Sequence, residues 1–289
     1  MTRTIWSERI GPGYLHCYEA ELLYEERTKY QHMVLFHNPL FGRCLVLDGI
    51  VQLTQKDEFI YHEMFVHCPF LGLRSTPESV LIIGGADGGV LREVLTYEEV
   101  KRVVHVEIDE AVLKACKKYL PEVCGDWNDP RVELIIGDGA KYVKEAKERG
   151  EKFDCILLDS TDPVGPAIVL FEPPFHKDLF DILNDGGVVV RQSGLPLTMP
   201  KVMPFVFKRF QDFFQTVEVY RAPVPTYGDE MAFVAATKGP QGISKSNKER
   251  VGRFYNPKIH EAAFALPTWW TELIDNFEDT GEVPIDSLY

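Results

Sequence analysis

Val80-Leu81-Ile82-Ile83-Gly84-Gly85-Ala86-Asp87-Gly88-Gly89-Val90-Leu91-Arg92-Glu93 is the stretch that decides the fold. Its four leading apolar residues, without alternation, describe a strand buried on both faces. The glycines after them let the chain turn sharply and let a ligand approach the backbone, and a helix opens from Gly89 to Thr96. Strand, glycine turn and helix form the first unit of a parallel α/β sheet. Such a turn alone is a weak signal, because it also serves as a plain tight connection. Its spacing is G-x-x-x-G rather than the G-x-G-x-x-G of dinucleotide binders, and Asp87 sits inside it. A carboxylate there repels a pyrophosphate and suits a ligand with a positive group. That weighs against NAD and for a sulfonium nucleoside.

Downstream, strand and helix alternate. Strands are expected at Arg102 to Glu107, Val132 to Ile136, Phe153 to Leu158 and Gly187 to Arg191. Helices are expected at Glu110 to Tyr119, Ala140 to Glu148, near Pro174 to Leu183, and at Lys201 to Phe214. Two last strands, Thr216 to Arg221 and Met231 to Ala236, complete a Rossmann-like, methyltransferase-type, mostly parallel sheet with a terminal antiparallel pair. Upstream of residue 75 the texture differs. Short runs at Leu15 to Leu23, Tyr30 to Phe36, Cys44 to Leu47 and Ile50 to Thr54 are broken by Asn38-Pro39 and by Asp48-Gly49, a strong hairpin signal. The reading is an α/β protein with a small N-terminal antiparallel β domain (residues 1–55), a linking helix (56–75), a Rossmann-like catalytic domain (76–270) and a polar, acidic tail (271–289). The charges of Lys245 to Arg253 are read as a solvated helix face, and Trp269-Trp270 and the Phe205 to Phe214 stripe as packing.

The 289 residues include 44 Asp plus Glu against 31 Lys plus Arg, a formal charge of -13. That balance argues against nucleic acid or an anionic membrane as the main partner and permits a cationic ligand without implying one. No apolar run reaches the roughly 18 residues of a membrane span, and Met1 to Ile10 lacks the apolar core of a secretory signal. The six cysteines form no CxxC pair, which fits free thiols in a reducing cytoplasm and gives no metal-ligand cluster.

Four expected strands end in acidic residues. Glu107, about twenty residues beyond the glycine turn, is placed to accept from both ribose hydroxyls; Asp109 is read as a helix N-cap. Asp138, in Gly137-Asp138-Gly139, either accepts from an adenine amino group or caps the next helix. Asp159 and Asp162, three apart in Asp159-Ser160-Thr161-Asp162-Pro163, face the crevice beyond the fourth strand; a helix cap at Asp159 and a turn at Asp-Pro are the alternative, and their place beside the sulfonium site favours a chemical role. Three acidic tips in succession, Asp87, Glu107 and Asp138, suggest the adenosine site of an S-adenosylmethionine-type fold.

On these residues the chain resembles the polyamine aminopropyltransferases, spermidine synthases above all. The resemblance rests on Glu58-Phe59-Ile60-Tyr61-His62-Glu63-Met64, Gly84 to Glu93, Val106-Glu107-Ile108-Asp109, Asp159 to Pro163, Leu45 to Gly49, Pro225-Thr226-Tyr227 and Tyr255 to Pro267, in collinear order. It implies transfer of the aminopropyl group of decarboxylated S-adenosylmethionine, a co-substrate rather than a cofactor, to an amine, usually putrescine, leaving methylthioadenosine. It also implies a cytoplasmic homodimer or homotetramer assembled through the N-terminal domain. On matching positions Gln31, His62, Asp87, Glu107, Asp138, Gly139 and Asp159 would hold the donor. Tyr61, Asp159, Asp162 and Tyr227 would line the acceptor site, and Asp159 would accept the proton, with Ser160 to Phe171 as the loop over the site. Asp87 and Asp159 can bind the donor's amine, and Asp162 an acceptor amine, by charge-assisted bonds. No metal is needed for the displacement.

Three departures bear on the substrate. Ala86 stands where the family usually has Gly. Asp229 and Glu230 follow Pro225-Thr226-Tyr227-Gly228, either favouring a longer or more cationic amine or serving as solvated loop charges. Arg191, with Gln192 beside it, is unexpected near a cation site; it might point away, pair with an acid, or recognise a substrate carboxylate. Other acceptors (agmatine, cadaverine, spermidine), intact S-adenosylmethionine as donor, methyl transfer, and a non-catalytic polyamine sensor are the alternative functions.

Overall fold

A computed structural model describes residues 3–161 and 165–284. The chain opens with five strands in the order β1-β2-β3-β4-β5, all antiparallel: β1 (Arg3–Gly11), β2 (Tyr14–Arg27), β3 (His32–Asn38), β4 (Gly42–Leu47) and β5 (Ile50–Thr54). Asp48 and Gly49 both take positive φ, 47° and 93°, and make the expected tight hairpin between β4 and β5. β1 was not expected, because this edge strand carries Arg3, Ser7, Glu8 and Arg9 among few apolar residues. Its apolar residues Ile5, Trp6 and Ile10 follow no regular alternation, and its Glu8 is buried, accepting from the Tyr18 hydroxyl and from Val51 N of β5.

Helix α1 (Glu58–Gly72) leads into a seven-stranded sheet. Its strands are β6 (Ser79–Gly84), β7 (Arg102–Glu107), β8 (Val132–Ile136), β9 (Phe153–Asp159), β10 (Leu183–Gln192), β11 (Thr216–Val224) and β12 (Asp229–Thr237). The order is β11-β12-β10-β9-β6-β7-β8, with β12 antiparallel to both neighbours and the remaining ladders parallel. β6 is central. The chain fills one side of it with β7 and β8, then crosses to β9 on the other. The carboxyl ends of β6 and β9 therefore flank the point where strand order reverses, the place where such sheets bind ligands. Gly84 and Asp159 are register partners there.

Helices cover both faces. Beside α1 lie α2 (Gly89–Leu95) and α7 (Pro257–Ala263); opposite lie α4 (Gly139–Glu148), α5 (Pro173–Ile182), α6 (Val202–Gln211) and α8 (Thr268–Asp275). α3 (Glu110–Tyr119) packs Val112, Ala115 and Cys116 against Met33, Leu35, Leu45 and Leu53, joining the two sheets through one apolar layer. α1 is buried on nearly every side, so its polar residues all need partners. Glu63 finds them in the backbone amides of Arg253, Phe254 and Tyr255, at 2.8, 2.8 and 2.7 Å. Lys245 to Arg253 is accordingly not a helix but an extended loop strapped over α1: a helical turn would withdraw those amides from the carboxylate. The expected polar tail from residue 271 begins inside α8. Trp270 and Ile274 are buried, Phe277 packs on the same core, and Asp279 pairs with Arg209 at 2.8 Å. No helix among the described residues is long and apolar enough to cross a membrane.

Candidate active site

The glycine turn after β6 is built by close approach. Gly84, Gly85 and Gly88 have φ of 82°, 70° and 79°, and a Cβ on Gly84 or Gly85 would collide with Asp159, one on Gly88 with Trp127 and one on Gly89 with the His62 ring. Ala86 avoids both constraints: it has no positive φ, and its methyl packs on the core. His105, buried on β7, supports the turn from below. Trp127 Nε1–H donates to its Nδ1 at 3.0 Å, which leaves Nε2–H to donate to the Gly84 carbonyl at 2.6 Å. Burial depresses this ring to about 4, so it is neutral.

Three charged groups, His62, Glu58 and Arg92, line up behind Asp87. His62 Nδ1–H donates to Glu58 at 2.5 Å and its Nε2–H to Asp87 Oδ1 at 3.2 Å. Arg92 closes the chain on Glu58 at 2.8 Å. Burial by itself would lower the His62 ring, but Asp87 and then Glu58 raise it to about 10. Glu58 and Asp87 are held below the ordinary carboxylate range, against their burial, by His62. Asp87 also accepts from Gly89 N at 2.7 Å. His62, Asp87 and Asp159 bring ligand-type atoms within 4.8 Å of one another. Within this cluster His62 pairs with both Glu58 and Asp87.

Asp159 behaves differently. Burial and the Asp87 charge push it up to about 6, opposed by His62 and by the Tyr61 hydroxyl, which donates to Oδ1 at 2.5 Å. Two carboxylates with divergent proton affinities at one strand crossing are the pattern of a site that moves or holds protons. Tyr61 is raised by burial and Asp159, so it stays protonated and serves as a donor. Tyr227 faces the Tyr61 ring edge-on at 6.4 Å and donates to Gln52 O at 2.7 Å. Its turn is pinned by buried Asp57, which accepts from Thr226 N at 2.8 Å, from the Thr226 hydroxyl, and from Thr54 Oγ1 at 2.6 Å.

The other strand tips line up beside this centre. Glu107 is buried and pushed up to about 7, chiefly by desolvation; it accepts from Asp109 N at 2.7 Å and from the Ile108 amide, which leaves carboxylate capacity for a hydroxyl donor. Asp109 does cap α3, accepting from Ala111 N, and also takes Thr28 Oγ1 at 2.6 Å and Gln31 Nε2 at 3.1 Å from the first sheet. Asp138 caps α4 through Oδ1, the alternative to adenine recognition, and a Cβ on Gly139 would strike Ile83. Asp162 lies outside the described residues.

The possible specificity residues Arg191, Gln192, Asp229 and Glu230 all make contacts within the chain. Arg191 is fully buried; Nη1 donates to Leu170 O at 2.7 Å and Nη2 to Ser160 Oγ at 3.2 Å. Gln192 Nε2 donates to Ser160 O at 2.7 Å. Asp229 accepts from Leu197 N at 3.0 Å, and both Glu230 oxygens take Arg221 Nη1 at 2.5–2.6 Å. Sequence reasoning passed over the roles of Glu58, Arg92 and Asp57. The Glu58–His62 spacing of four on one helix face was the available signal for the first pair.

Similarity searches place this geometry among known proteins. A family model described as the spermine/spermidine synthase domain matches residues 58–247, and one described as the spermidine synthase tetramerisation domain matches residues 5–55. A polyamine aminopropyltransferase of Thermoanaerobacter sp. (strain X514) is 44% identical over 259 residues, covering 88% of this chain and 92% of that protein. One from Serratia proteamaculans (strain 568) is 38% identical over 285 residues, covering 94% and 98%. A solved spermidine synthase in complex with the transition state analogue AdoDATO superposes with a TM-score of 0.86 at 32% identity, covering 95% of this chain and 96% of that one. The spermidine synthase of Thermotoga maritima does so at 0.84 and 31%, with 95% of each chain covered.

Proposed function

The chain belongs to the spermine/spermidine synthase family of polyamine aminopropyltransferases, and from that premise we propose that it makes spermidine from putrescine with Asp159 as the proton acceptor. The observation that carries this reading is Asp159 itself: raised to about 6, held by Tyr61, and set against an Asp87 kept ionised by His62. The donor is decarboxylated S-adenosylmethionine, with Glu107 on its ribose, Asp138 and Gly139 beside its base, and Asp87 and Asp159 on its ammonium. Gln31 supports the donor side through Asp109. The transition-state analogue bound by the structural relative is consistent with such a donor site.

The reaction is an in-line displacement. The acceptor's amine nitrogen bonds to the carbon beside sulfur, the carbon–sulfur bond breaks, and its electron pair turns the sulfonium into the neutral thioether of methylthioadenosine. The nitrogen must shed a proton. An alkyl ammonium has a pKa of about 10.4, so an ordinary carboxylate near 3.9 is a poor base for it. A carboxyl near 6 narrows that gap, and the adjacent sulfonium lowers the amine's own affinity. Asp159 therefore positions the amine and takes its proton as the new bond forms. Alignment in a dry pocket supplies most of the rate. Tyr227 and Asp162 complete the acceptor side. The pairing of Glu230 with Arg221 supports putrescine over a more cationic amine. Self-association runs through the first sheet, where β1 and β2 expose Ile5, Leu15 and Leu22 by 61, 53 and 50%.

Mass spectrometry tests the reaction with decarboxylated and intact S-adenosylmethionine against putrescine, cadaverine, agmatine and spermidine. Spermidine and methylthioadenosine from the first pairing are expected. Preferred turnover of another amine removes the putrescine assignment, and near wild-type turnover by Asp159→Asn removes the proton-acceptor assignment.

A further inference from the structure

We propose that Arg191 is a positioning residue for Asp159, gripping Ser160 and the Leu170–Phe171 turn together and so fixing the exit of β9. The proposal rests on the reading of Asp159 as the working carboxylate. Arg191 sits in mid-sheet, in register with Leu158 of β9 and Val234 of β12, and is 0% exposed. Burying a guanidinium in such a place is costly unless its donors are used. One arm, Nη1, takes Leu170 O at 2.7 Å; the other, Nη2, takes Ser160 Oγ at 3.2 Å. The guanidinium plane lies 3.4 Å from the Phe171 ring centroid. The two ends of the segment from Ser160 to Phe171 are thereby tied to one rigid fork.

Ser160 is the residue immediately after Asp159. Its carbonyl takes Gln192 Nε2 at 2.7 Å, while Gln192 Oε1 is itself fixed by Gly194 N at 3.0 Å. On the other edge, Gly85 N donates to Asp159 O at 2.9 Å. The peptide carrying Asp159 is thus held from the glycine turn on one side and from β10 on the other. Arg191 is the member of this set that also reaches the far turn. Lysine cannot replace it, because a single ammonium lacks the planar fork and does not stack. The influence is geometric: burial, Asp87, His62 and Tyr61 set the proton affinity of Asp159, and Arg191 is not among its main causes.

Steady-state kinetics and methylthioadenosine binding of full-length Arg191→Met, Arg191→Lys, Ser160→Ala and the Arg191→Met/Ser160→Ala double variant test this, with Asp159→Asn in parallel. Misplacing a catalytic group by about 1 Å costs about 100-fold. Arg191→Met is expected to lose about 10- to 100-fold in kcat, and Arg191→Lys nearly as much. Methylthioadenosine Kd should change less than about threefold, and the acid limb of the pH profile should not move. Ser160→Ala removes one contact at a half-buried site, folds whatever Arg191→Met does, and should lose about three- to tenfold in kcat. The double variant should be no worse than Arg191→Met, since residues acting through one contact are non-additive. Wild-type kcat in Arg191→Met or in Ser160→Ala, or a Kd that rises in step with the loss of kcat, overturns the proposal. Should Asp159→Asn stay active, the reading of Asp159 fails instead; an inactive Asp159→Asn beside an active Arg191→Met sinks only the positioning role.

Discussion

Tyr61→Phe deletes one hydroxyl and one hydrogen bond, that to Asp159 Oδ1 at 2.5 Å. That bond favours the ionised carboxylate and opposes the burial and Asp87 repulsion that hold Asp159 at about 6. A hydrogen bond to a charged group contributes about 1.5–3 kcal/mol, and one pKa unit corresponds to about 1.36 kcal/mol. Losing it therefore lifts Asp159 by about one to two units, to about 7–8. The sign follows directly. The group must be ionised to act, so activity falls as pH drops through its pKa, and the variant's acid limb moves to higher pH. At pH 6 wild type is about half ionised and the variant about 1–9%, a loss of about five- to fiftyfold. At pH 7 the loss is about two- to tenfold. By pH 9 both carboxylates are ionised and the two enzymes converge. The assay is methylthioadenosine release from pH 5.5 to 9.5 at low substrate, expressed as the ratio of variant to wild-type kcat/KM. The ratio cancels the titration of the acceptor amine, which is common to both proteins. A ratio that is low but flat across pH refutes the reasoning, since Tyr61 would then act by packing and not through the carboxylate.

Three further outcomes follow from the same geometry. His62 has a folded value of about 10 against an ordinary 6.5, so its stabilising contribution is complete below about 6.5, declines between, and is gone above about 10; urea denaturation should show the advantage of wild type over His62→Gln shrinking across that window, and a constant difference would contradict it. Glu63→Gln places an amide against the amides of Arg253, Phe254 and Tyr255 and should cost about 2–4 kcal/mol, read as a lower denaturation midpoint with kcat little changed; an unshifted midpoint would show that the strap over α1 contributes nothing. Titration calorimetry near pH 6 in buffers of different ionisation enthalpy should show the doubly cationic donor releasing more protons than neutral methylthioadenosine, because donor charge drives Asp159 to ionise; equal release would place the donor ammonium away from Asp159.

The sequence by itself determined the sheet, its glycine turn and its acidic strand tips, because apolar runs, positive-φ turns and N-caps are local chemistry. Val80 to Ile83 needs no partner to be recognised as a buried strand, and Asp109 announces its cap by position alone. Edge strand β1 and the strap over α1 were not legible for the same reason: what holds them is contributed elsewhere, by β2 in one case and by Glu63 in the other. The acidic charges made a cation site readable but not their division of labour. Asp87 and Asp159 are both single aspartates at strand tips in the sequence. Only the tertiary structure sets an imidazolium beside one and a tyrosine hydroxyl on the other, holding the first ionised and lifting the second to about 6. Arg191 is the converse case, a charge whose direction the sequence left open and which the fold buries beside Ser160 and Phe171. A residue's type and spacing set which element it joins; which charge faces it across a strand crossing, in a medium where burial shifts proton affinity by units, is fixed only when distant segments meet.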